Sequence, residues 1–140
     1  MPSARVLGKR ILLVDDQQSV RIAIRHLLEV DEHSVTEARD GREAFDCFQR
    51  EHFDLVIADY AMPEMAGTDL ATAIKGLAPK QPIIMISAYT SEFIAPDNPV
   101  DALLNKPFSF QALRETIARL LGNPSREPSG TVGSSSTARL

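Results

Sequence analysis

Short apolar runs that alternate with amphipathic stretches are the feature that most limits what this chain can fold into. The runs are continuous in Ile, Leu and Val, without a regular alternation of polar residues, and they cover Ile11–Val14, Leu55–Ala58, Ile83–Ile86 and Leu103–Leu104. Strands that are covered on both faces of a parallel sheet have this character. Because the runs alternate with helical stretches between residues 10 and 121, the sequence predicts an α/β fold with a doubly wound parallel sheet.

Apolar residues at helical spacing predict a first helix around Val20–Leu28 and a second that follows Asp40-Gly41 and presents Ala44, Phe45 and Phe48 to the core. They also predict a helix from near Thr68 to Leu77 and a last helix around Phe110–Leu121. On the first helix the predicted core side is Val20, Ala23, Ile24, Leu27 and Leu28, and the predicted solvent side is Arg21, Arg25 and Glu29. The stretch between Ser87 and Lys106 has room for about one helical turn before Pro96 and Pro99. The fourth of five helices is therefore expected to be short or irregular.

Length and composition predict a single folded domain. At 140 residues the chain is long enough to bury about two thirds of its unfolded surface in one core. We expect residues 1–9 to be an N-terminal extension and residues 10–121 to be the domain. Residues 122–140 are rich in Pro, Ser, Gly and Thr and cannot offset their ordering entropy by burial, so a disordered tail is expected there.

Charge and apolar patterning exclude several classes of function. The formal net charge of −4 and a pI near 5.3 argue against nucleic-acid binding, which needs clustered Lys and Arg. No apolar run approaches the roughly 20 residues of a membrane-spanning helix. The lone Cys47 excludes an intramolecular disulfide, fits a reducing compartment and is interpreted as a small core residue. A soluble, cytoplasmic protein is therefore expected.

Polar side chains at the ends of the apolar runs are the candidate functional residues. Asp15 and Asp16 follow the first run, Asp59 the second, Ser87 the third and Lys106 the fourth. The carboxyl ends of parallel strands lie at one edge of a sheet, which is where open α/β proteins place their sites. We therefore expect these five side chains to form one site.

Each of these residues also has a plain structural interpretation. An Asp pair after a strand often caps the next helix, Asp59 would suit a turn, Ser87 a satisfied hydroxyl, and Lys106 a solvated side chain. Their coincidence at successive strand ends favours a common site. The remaining polar candidates are interpreted as surface or capping residues (His26, His33 and His52) and as packing at the rim (Tyr60 and Tyr89).

The charges of the predicted site indicate a divalent cation. Two carboxylates about 4 Å apart repel each other by roughly 4 kcal/mol at an effective dielectric constant near 20. Asp15, Asp16 and Asp59 against the one positive charge of Lys106 leave a net charge of −2, which one divalent ion cancels. Oxygen ligands suit Mg²⁺, with Mn²⁺ as a substitute, and argue against zinc, which prefers His and Cys.

Carboxylates with a metal, a hydroxyl and a lysine are suited to phosphoryl transfer. Asp59 would attack phosphorus in line, and Ser87 and Lys106 would stabilise the charge on the phosphoryl oxygens. The chain has no glycine-rich nucleotide loop at the required spacing. The phosphoryl group is therefore expected to come from a donor other than a bound ATP.

The segments ILLVDDQ, IADYAMPEMAG, IIMISAY and LLNKPF, in this order, closely resemble the receiver domain of two-component response regulators across residues 10–121. The resemblance implies a flavodoxin-like (βα)5 fold with strand order 2-1-3-4-5. It implies a phosphoacceptor, not a turnover enzyme, that signals by contact with a downstream protein as a monomer or weak homodimer. A histidine kinase or histidine phosphotransfer protein would be the phosphodonor.

The resemblance also implies a role for each site residue. Asp59 would accept the phosphoryl group, with Asp16 ligating Mg²⁺ directly, Asp15 mostly through water, and the Ala61 carbonyl completing the protein ligands. Ser87 would bond the phosphoryl group and Lys106 would pair with it. The bond between Lys106 and Pro107 is expected to be cis.

The sequence departs from this family at Leu103, where receivers usually carry a Tyr or Phe that rotates on phosphorylation. Leucine has no ring to rotate, so one hypothesis is that phosphorylation is reported through another surface that uses Tyr89 or Phe93. A second hypothesis is a receiver-like scaffold that binds its partner without phosphate. A third is a small phosphatase, against which Ala61 counts, since it occupies the place of an acid–base carboxylate two residues after Asp59.

Overall fold

The computed structural model describes residues 6–62, 65–88 and 100–122, which form one parallel sheet with helices on both faces. The strands are β1 (Arg10–Val14), β2 (Ser34–Ala38), β3 (Leu55–Asp59), β4 (Ile83–Ser87) and β5 (Ala102–Asn105). The described helices are α1 (Gln18–Val30), α2 (Gly41–Arg50), α3 (Gly67–Leu77) and α4 (Phe110–Leu121). The strand order is β2-β1-β3-β4-β5, and every neighbouring pair is parallel.

The sheet separates two hydrophobic layers. Successive residues of β1 point to opposite faces, so Ile11 and Leu13 enter one layer while Leu12 and Val14 enter the other. The first layer is completed by α1 and α4, through residues that include Ile24 and Leu113. The second is completed by α2 and α3, and the lone cysteine, Cys47, is buried in it as predicted. The continuous apolar runs are therefore explained by burial on both faces.

The α/β fold class and the strand order 2-1-3-4-5 are confirmed. On α1, Ile24 and Leu28 are buried as predicted, but the prediction is wrong for Ala23, which is exposed. It is also wrong for Arg21, whose side chain is only 13% exposed because it folds back over the sheet edge. Several predicted features lie outside the described residues: the short fourth helix, with Tyr89, Phe93, Pro96 and Pro99, and the tail from residue 123.

The segment before β1 packs against the domain. Val6 contacts the layer formed by α1 and α4, and the Gly8 N–H donates to the Asp31 carbonyl at 3.2 Å. The surface or capping role predicted for His33 is wrong, since its side chain is buried and its Nδ1 accepts the Lys9 N–H at 3.0 Å. Burial lowers the pKa of His33, which favours the neutral ring that this hydrogen bond requires.

Candidate functional site

The ends of four strands bring the predicted polar residues to one edge of the sheet. Asp15 and Asp16 directly follow β1, Asp59 is the last residue of β3, Ser87 is the last of β4, and Lys106 directly follows β5. Register fixes this alignment, because Val14 pairs with Ala58 and Ser87 pairs with Asn105. We call this side the carboxyl edge, and the side where the strands begin the amino edge.

Three carboxylates cluster at the carboxyl edge. Asp15, Asp16 and Asp59 each place one carboxylate oxygen so that the three oxygens lie within 4.8 Å of one another. Asp15 and Asp59 are buried, with 1% and 6% of their surface exposed, whereas Asp16 is exposed. Within the described part of the chain this is the only group of three such side chains close enough to share a metal ion.

Asp15 is held on all sides except at one carboxylate oxygen. Its N–H donates to the Ala38 carbonyl at 3.1 Å, and its Oδ1 accepts the Gln17 N–H at 2.9 Å. Its Oδ2 is buried and accepts no hydrogen bond from any described residue. Burial raises the pKa of Asp15 against the lowering effects of the Gln17 N–H and of Lys106. This pair of aspartates does not cap α1, whose N-cap is Gln17 without a side-chain cap bond.

Asp59 is the most central of the three carboxylates. Its Oδ1 accepts a long hydrogen bond of 3.4 Å from the Ala61 N–H, and its Oδ2 lies 3.5 Å from Lys106 Nζ. Burial and the neighbouring Asp15 charge raise the pKa of Asp59, while Lys106 lowers it. An ionised carboxylate here therefore depends on nearby positive charge.

Lys106 lies between the two buried carboxylates. Its Nζ is 3.8 Å from Asp15 Oδ2 and 3.5 Å from Asp59 Oδ2, so it makes ion pairs with both and a short hydrogen bond with neither. The Lys106 N–H donates to the Ser87 carbonyl at 2.7 Å, which fixes the lysine beside the end of β4. The peptide bond to Pro107 is cis, which confirms that expectation.

The residues present fit a magnesium ion. The available donors are carboxylate oxygens, one of which is buried without a hydrogen-bond donor, and a single lysine balances only one of three negative charges. Mg²⁺ prefers oxygen ligands and keeps several waters, which the exposed Asp16 side would admit. A second cation is what the arrangement requires to remain ionised.

Gly67 is a site residue that the motif spacing did not single out. Its N–H donates to the Tyr60 carbonyl at 2.9 Å, and a Cβ at this position would lie 2.5 Å from the Asp59 carbonyl oxygen. Only glycine lets the start of α3 approach the end of β3 so closely. On the same side, Met65 packs against Gly41 at the start of α2. These contacts fix Tyr60, Met65 and Gly67 beside the end of β3 and the start of α2.

The structure shows where Leu103 and Ser87, two residues of the predicted switch, lie in the sheet. Leu103 lies in β5 opposite Met85 and is half-buried, so an aliphatic side chain occupies the position where the resembled family has a ring. Ser87 is fully buried at the end of β4. Tyr89 lies outside the described residues, and Tyr60 is half-buried with its N–H donating to the Ile86 carbonyl at 2.7 Å.

None of the helices in the described ranges is long and apolar enough to cross a membrane.

The sequence matches the family model of the response regulator receiver domain over residues 11–118. The response regulator MprA of Mycolicibacterium vanbaalenii is 37% identical over 79% of this chain and 48% of its own length. The response regulator receiver protein CpdR of Brucella abortus is 34% identical over 81% of this chain and 97% of its own length. The chain thus spans about half the length of the MprA relative and nearly all of CpdR.

Solved structures agree with these sequence matches. The response regulator protein TrrA of Thermotoga maritima, solved in complex with Mg²⁺ and BeF, superposes with a TM-score of 0.76 at 32% identity. The match covers 81% of this chain and 99% of TrrA.

Proposed function

The chain belongs to the family of response regulator receiver domains of two-component signalling, and we propose that Asp59 is its phosphoacceptor. Receiver domains are phosphorylated by histidine kinases, so the donor is a histidine kinase or a histidine phosphotransfer protein. One observation carries the assignment. Asp59 is the carboxylate that lies 3.5 Å from Lys106 and shares a cluster of three acidic oxygens, in a site with a central position in the sheet.

Local contacts favour Asp59 over its acidic neighbours as the nucleophile. The Asp15 Oδ1 is occupied by the Gln17 N–H, and its Oδ2 is buried. Asp16 is exposed and makes no hydrogen bond to a described residue. Asp59 has only a long hydrogen bond from Ala61 and a loose ion pair with Lys106, so an oxygen is available to a phosphorus atom.

In the proposed reaction an Asp59 carboxylate oxygen forms a bond to phosphorus as the bond between phosphorus and the donor imidazole nitrogen breaks. The imidazole leaves with the electron pair and takes a proton from solvent. Lys106 stabilises the added negative charge, and Ser87 donates a hydrogen bond to a phosphoryl oxygen.

Asp15, Asp16, Asp59 and the Ala61 carbonyl would hold Mg²⁺, with Mn²⁺ as a substitute. When bound, the ion neutralises carboxylate charge and offsets the charge of the phosphoryl oxygens. The residues of the chain supply the rest: the fold keeps Asp59 beside Lys106 and the acidic pair, and Gly67 lets α3 close against its backbone.

The signal leaves this site by protein contact. The aspartyl phosphate would change the surroundings of Ser87 and Lys106, and β5 and its neighbours would carry the change to a partner protein. Because Leu103 replaces the usual ring, we propose that this transmission does not use an aromatic rotamer at that position. In this proposal the chain accepts a phosphoryl group on its own Asp59 and contacts partner proteins, and it turns over no external substrate.

Phosphorylation of Asp59 is tested by incubating the protein with acetyl phosphate and Mg²⁺ and measuring its intact mass. We expect a mass gain of one phosphoryl group in the wild type, none in Asp59→Ala, and none when EDTA removes divalent ions. Asp69→Ala is the matched control, because Asp69 is an exposed carboxylate in the first turn of α3.

An equal gain in Asp59→Ala would refute the assignment of Asp59. No gain in the wild type, with a competent histidine kinase also failing, would favour the phosphate-independent scaffold.

A further inference from the structure

Arg21 connects α1 to the backbone of the acidic site. Its Nη1–H donates to the Asp15 carbonyl at 2.7 Å, and its Nε–H donates to Glu37 Oε1 at 2.7 Å. The Arg21 side chain is 13% exposed, although the spacing of α1 places it on the solvent side of the helix. A long cationic side chain whose guanidinium is held by two hydrogen bonds in this way has little rotational freedom.

The carbonyl that Arg21 holds belongs to the peptide unit between Asp15 and Asp16. A peptide unit is planar, so fixing the direction of its carbonyl restricts ψ of the first residue and φ of the second together. The Asp15 N–H is already fixed by the Ala38 carbonyl at 3.1 Å. With both sides of Asp15 held, the directions in which the two carboxylates leave the backbone are set relative to each other.

Glu37 holds Arg21 in place and also pairs with Arg25. Glu37 is on β2, directly opposite Leu13 of β1, and it accepts from both Arg21 and Arg25. Burial alone would raise the pKa of Glu37, but the hydrogen bonds from the two arginines outweigh it and keep that pKa below its usual range. Arg25 also pairs with Glu29 one turn along α1, at 3.7 Å. Glu37 is therefore ionised near neutral pH. We call the pair of Arg21 and Glu37 the brace.

Exposed Asp16 has the most to gain from this brace. Its side chain is exposed and makes no hydrogen bond to a described residue, so only its backbone is held, and the backbone sets the direction of the Cα–Cβ bond from which the carboxylate extends. Asp15 has further support from the Gln17 N–H. A peptide unit that is free to rotate would therefore displace Asp16 more than Asp15.

We propose that Arg21 is a positioning residue, which sets the relative orientation of Asp15 and Asp16 for a divalent cation by holding the peptide carbonyl between them. This inference rests on the proposed function, because it concerns the metal ion of the same site. It assigns a task in the site to a residue that touches neither the acceptor Asp59 nor Lys106.

Because Arg21 is positively charged, the direction of the change in Mg²⁺ affinity on its removal distinguishes a positioning role from simple charge repulsion. A guanidinium close to a cation site repels the cation, so removing it without any loss of position would make Mg²⁺ bind more tightly. A positioning role predicts the opposite change. Loss of an outer-shell partner typically weakens metal binding about 10- to 100-fold.

The experiment titrates MgCl₂ into the full chain and follows backbone amide chemical shifts to obtain the dissociation constant. We expect a dissociation constant about 10-fold higher in Arg21→Ala than in the wild type. Arg25→Ala is the matched control, since it also removes a guanidinium bonded to Glu37 but leaves the Asp15 carbonyl bond intact. Its dissociation constant should stay within about twofold of the wild type.

Arg21→Lys keeps the charge but cannot donate to both partners with a planar fork, so it should bind Mg²⁺ about threefold or more weakly than the wild type. This variant decides the question if thermal denaturation shows that Arg21→Ala does not fold. Wild-type or tighter Mg²⁺ binding by the folded Arg21 variants would overturn the positioning role and leave Asp59 phosphorylation standing. A wild type that binds no Mg²⁺ would overturn both proposals.

Discussion

Asp31 and Asp15 are buried aspartates at opposite edges of the same sheet, and their surroundings differ sharply. At the amino edge, Asp31 is 4% exposed and accepts two hydrogen bonds from Arg114, at 2.9 and 3.0 Å, from one planar guanidinium. At the carboxyl edge, Asp15 is 1% exposed, yet one of its oxygens has no donor and its lysine is 3.8 Å away. The same fold gives Asp31 close hydrogen-bond donors and leaves one oxygen of Asp15 without a donor.

Other carboxylates at the amino edge follow the pattern of Asp31. Asp54 accepts the Arg10 N–H at 2.9 Å, and Asp101 accepts both the Ile83 N–H and Lys75 Nζ at 2.8 Å. Buried polar groups in native proteins are nearly always paired, so the unpaired oxygen at the carboxyl edge marks a place for a ligand. The paired carboxylates of the amino edge stabilise the fold. The buried, unpaired oxygen of the carboxyl edge lowers stability, as polar groups at functional sites often do.

The largest expected effect on stability is at the amino edge. Arg114→Leu leaves Asp31 buried without its main partner and should lower the free energy of unfolding by about 2–3 kcal/mol, measured by urea denaturation. The guanidinium also lies 3.9 Å from the centre of the Phe110 ring, and that contact is lost too. Mg²⁺ affinity should not change, because the carboxyl edge is untouched.

Arg10→Leu is the comparison for this variant, since Arg10 forms a surface pair with Glu51 in which the side chains are 49% and 38% exposed. Its loss should be about 0.5 kcal/mol or less. Equal losses in the Arg10 and Arg114 variants would show that the buried pair of Asp31 stabilises the fold no more than an exposed ion pair does.

Two glycines of α3 should respond in opposite directions. Gly67→Ala places a Cβ 2.5 Å from the Asp59 carbonyl oxygen and should cost about 2 kcal/mol of stability, with slower phosphorylation of Asp59. Gly76→Ala meets no atom within 4 Å and should gain about 0.5 kcal/mol, because alanine favours a helix over glycine. Thermal denaturation of both variants makes the test, and a tolerated Gly67→Ala would contradict the close approach of α3.

Neutralising a carboxylate should change the free energy of unfolding in opposite directions at the two edges. Asp59→Asn removes a charge that burial and Asp15 disfavour, and should raise the free energy of unfolding of the metal-free protein by about 1 kcal/mol. Asp31→Asn should lower it, since Arg114 loses its counter-charge. Mg²⁺ should stabilise the wild type and reduce the advantage of Asp59→Asn. If Asp59→Asn is less stable than the wild type in EDTA, the two edges do not respond in opposite directions as predicted.

The pH dependence of the Asp59→Asn advantage follows from the same cause. The pKa of Asp59 is raised in the folded protein above its ordinary value of 3.8, so the folded state binds more protons than the unfolded state between the two values. The free energy of unfolding of the wild type then falls as the pH rises through this window. In EDTA, the advantage of the asparagine variant should be full above the folded pKa of Asp59 and shrink as the pH is lowered through it.

The smallest expected gain is at Glu32 in the turn between α1 and β2, which has a φ of 65°. Glu32→Gly removes the strain of a left-handed conformation and should stabilise by about 0.5 kcal/mol, once the greater entropy of unfolded glycine is subtracted. Glu32→Ala keeps the strain and should show no gain. Phosphorylation of Asp59 should be equal in all three proteins, because this turn belongs to the amino edge.

Burial explains which strands the sequence predicts by itself. β1, β3 and β4 are covered on both faces and appear as continuous apolar runs. β2 is an edge strand, Ser34–Ala38, in which only Ala38 is buried, so its residues carry no comparable pattern. Its place in the sheet was predicted only through the family resemblance.

Residue type likewise separates the predictable part of the site from the rest. The acidic residues, Ser87 and Lys106 stand directly at strand ends, where a polar side chain after an apolar run is conspicuous. The contact of Arg21 is with a backbone carbonyl, which is the same for every residue and leaves no mark in the sequence. Helical spacing indicates the face of the helix from which a side chain leaves the backbone. The end of a long arginine can still fold back toward the sheet.

The most direct test of the account is the chemical location of the phosphoryl group. Borohydride reduces an acyl phosphate to an alcohol, so protein treated with acetyl phosphate and Mg²⁺, then reduced and digested, reveals the acceptor by tandem mass spectrometry. Homoserine is expected at position 59 alone, and none is expected when EDTA replaces Mg²⁺. Homoserine at position 15 or 16, or at position 59 to the same extent in EDTA, would contradict the account.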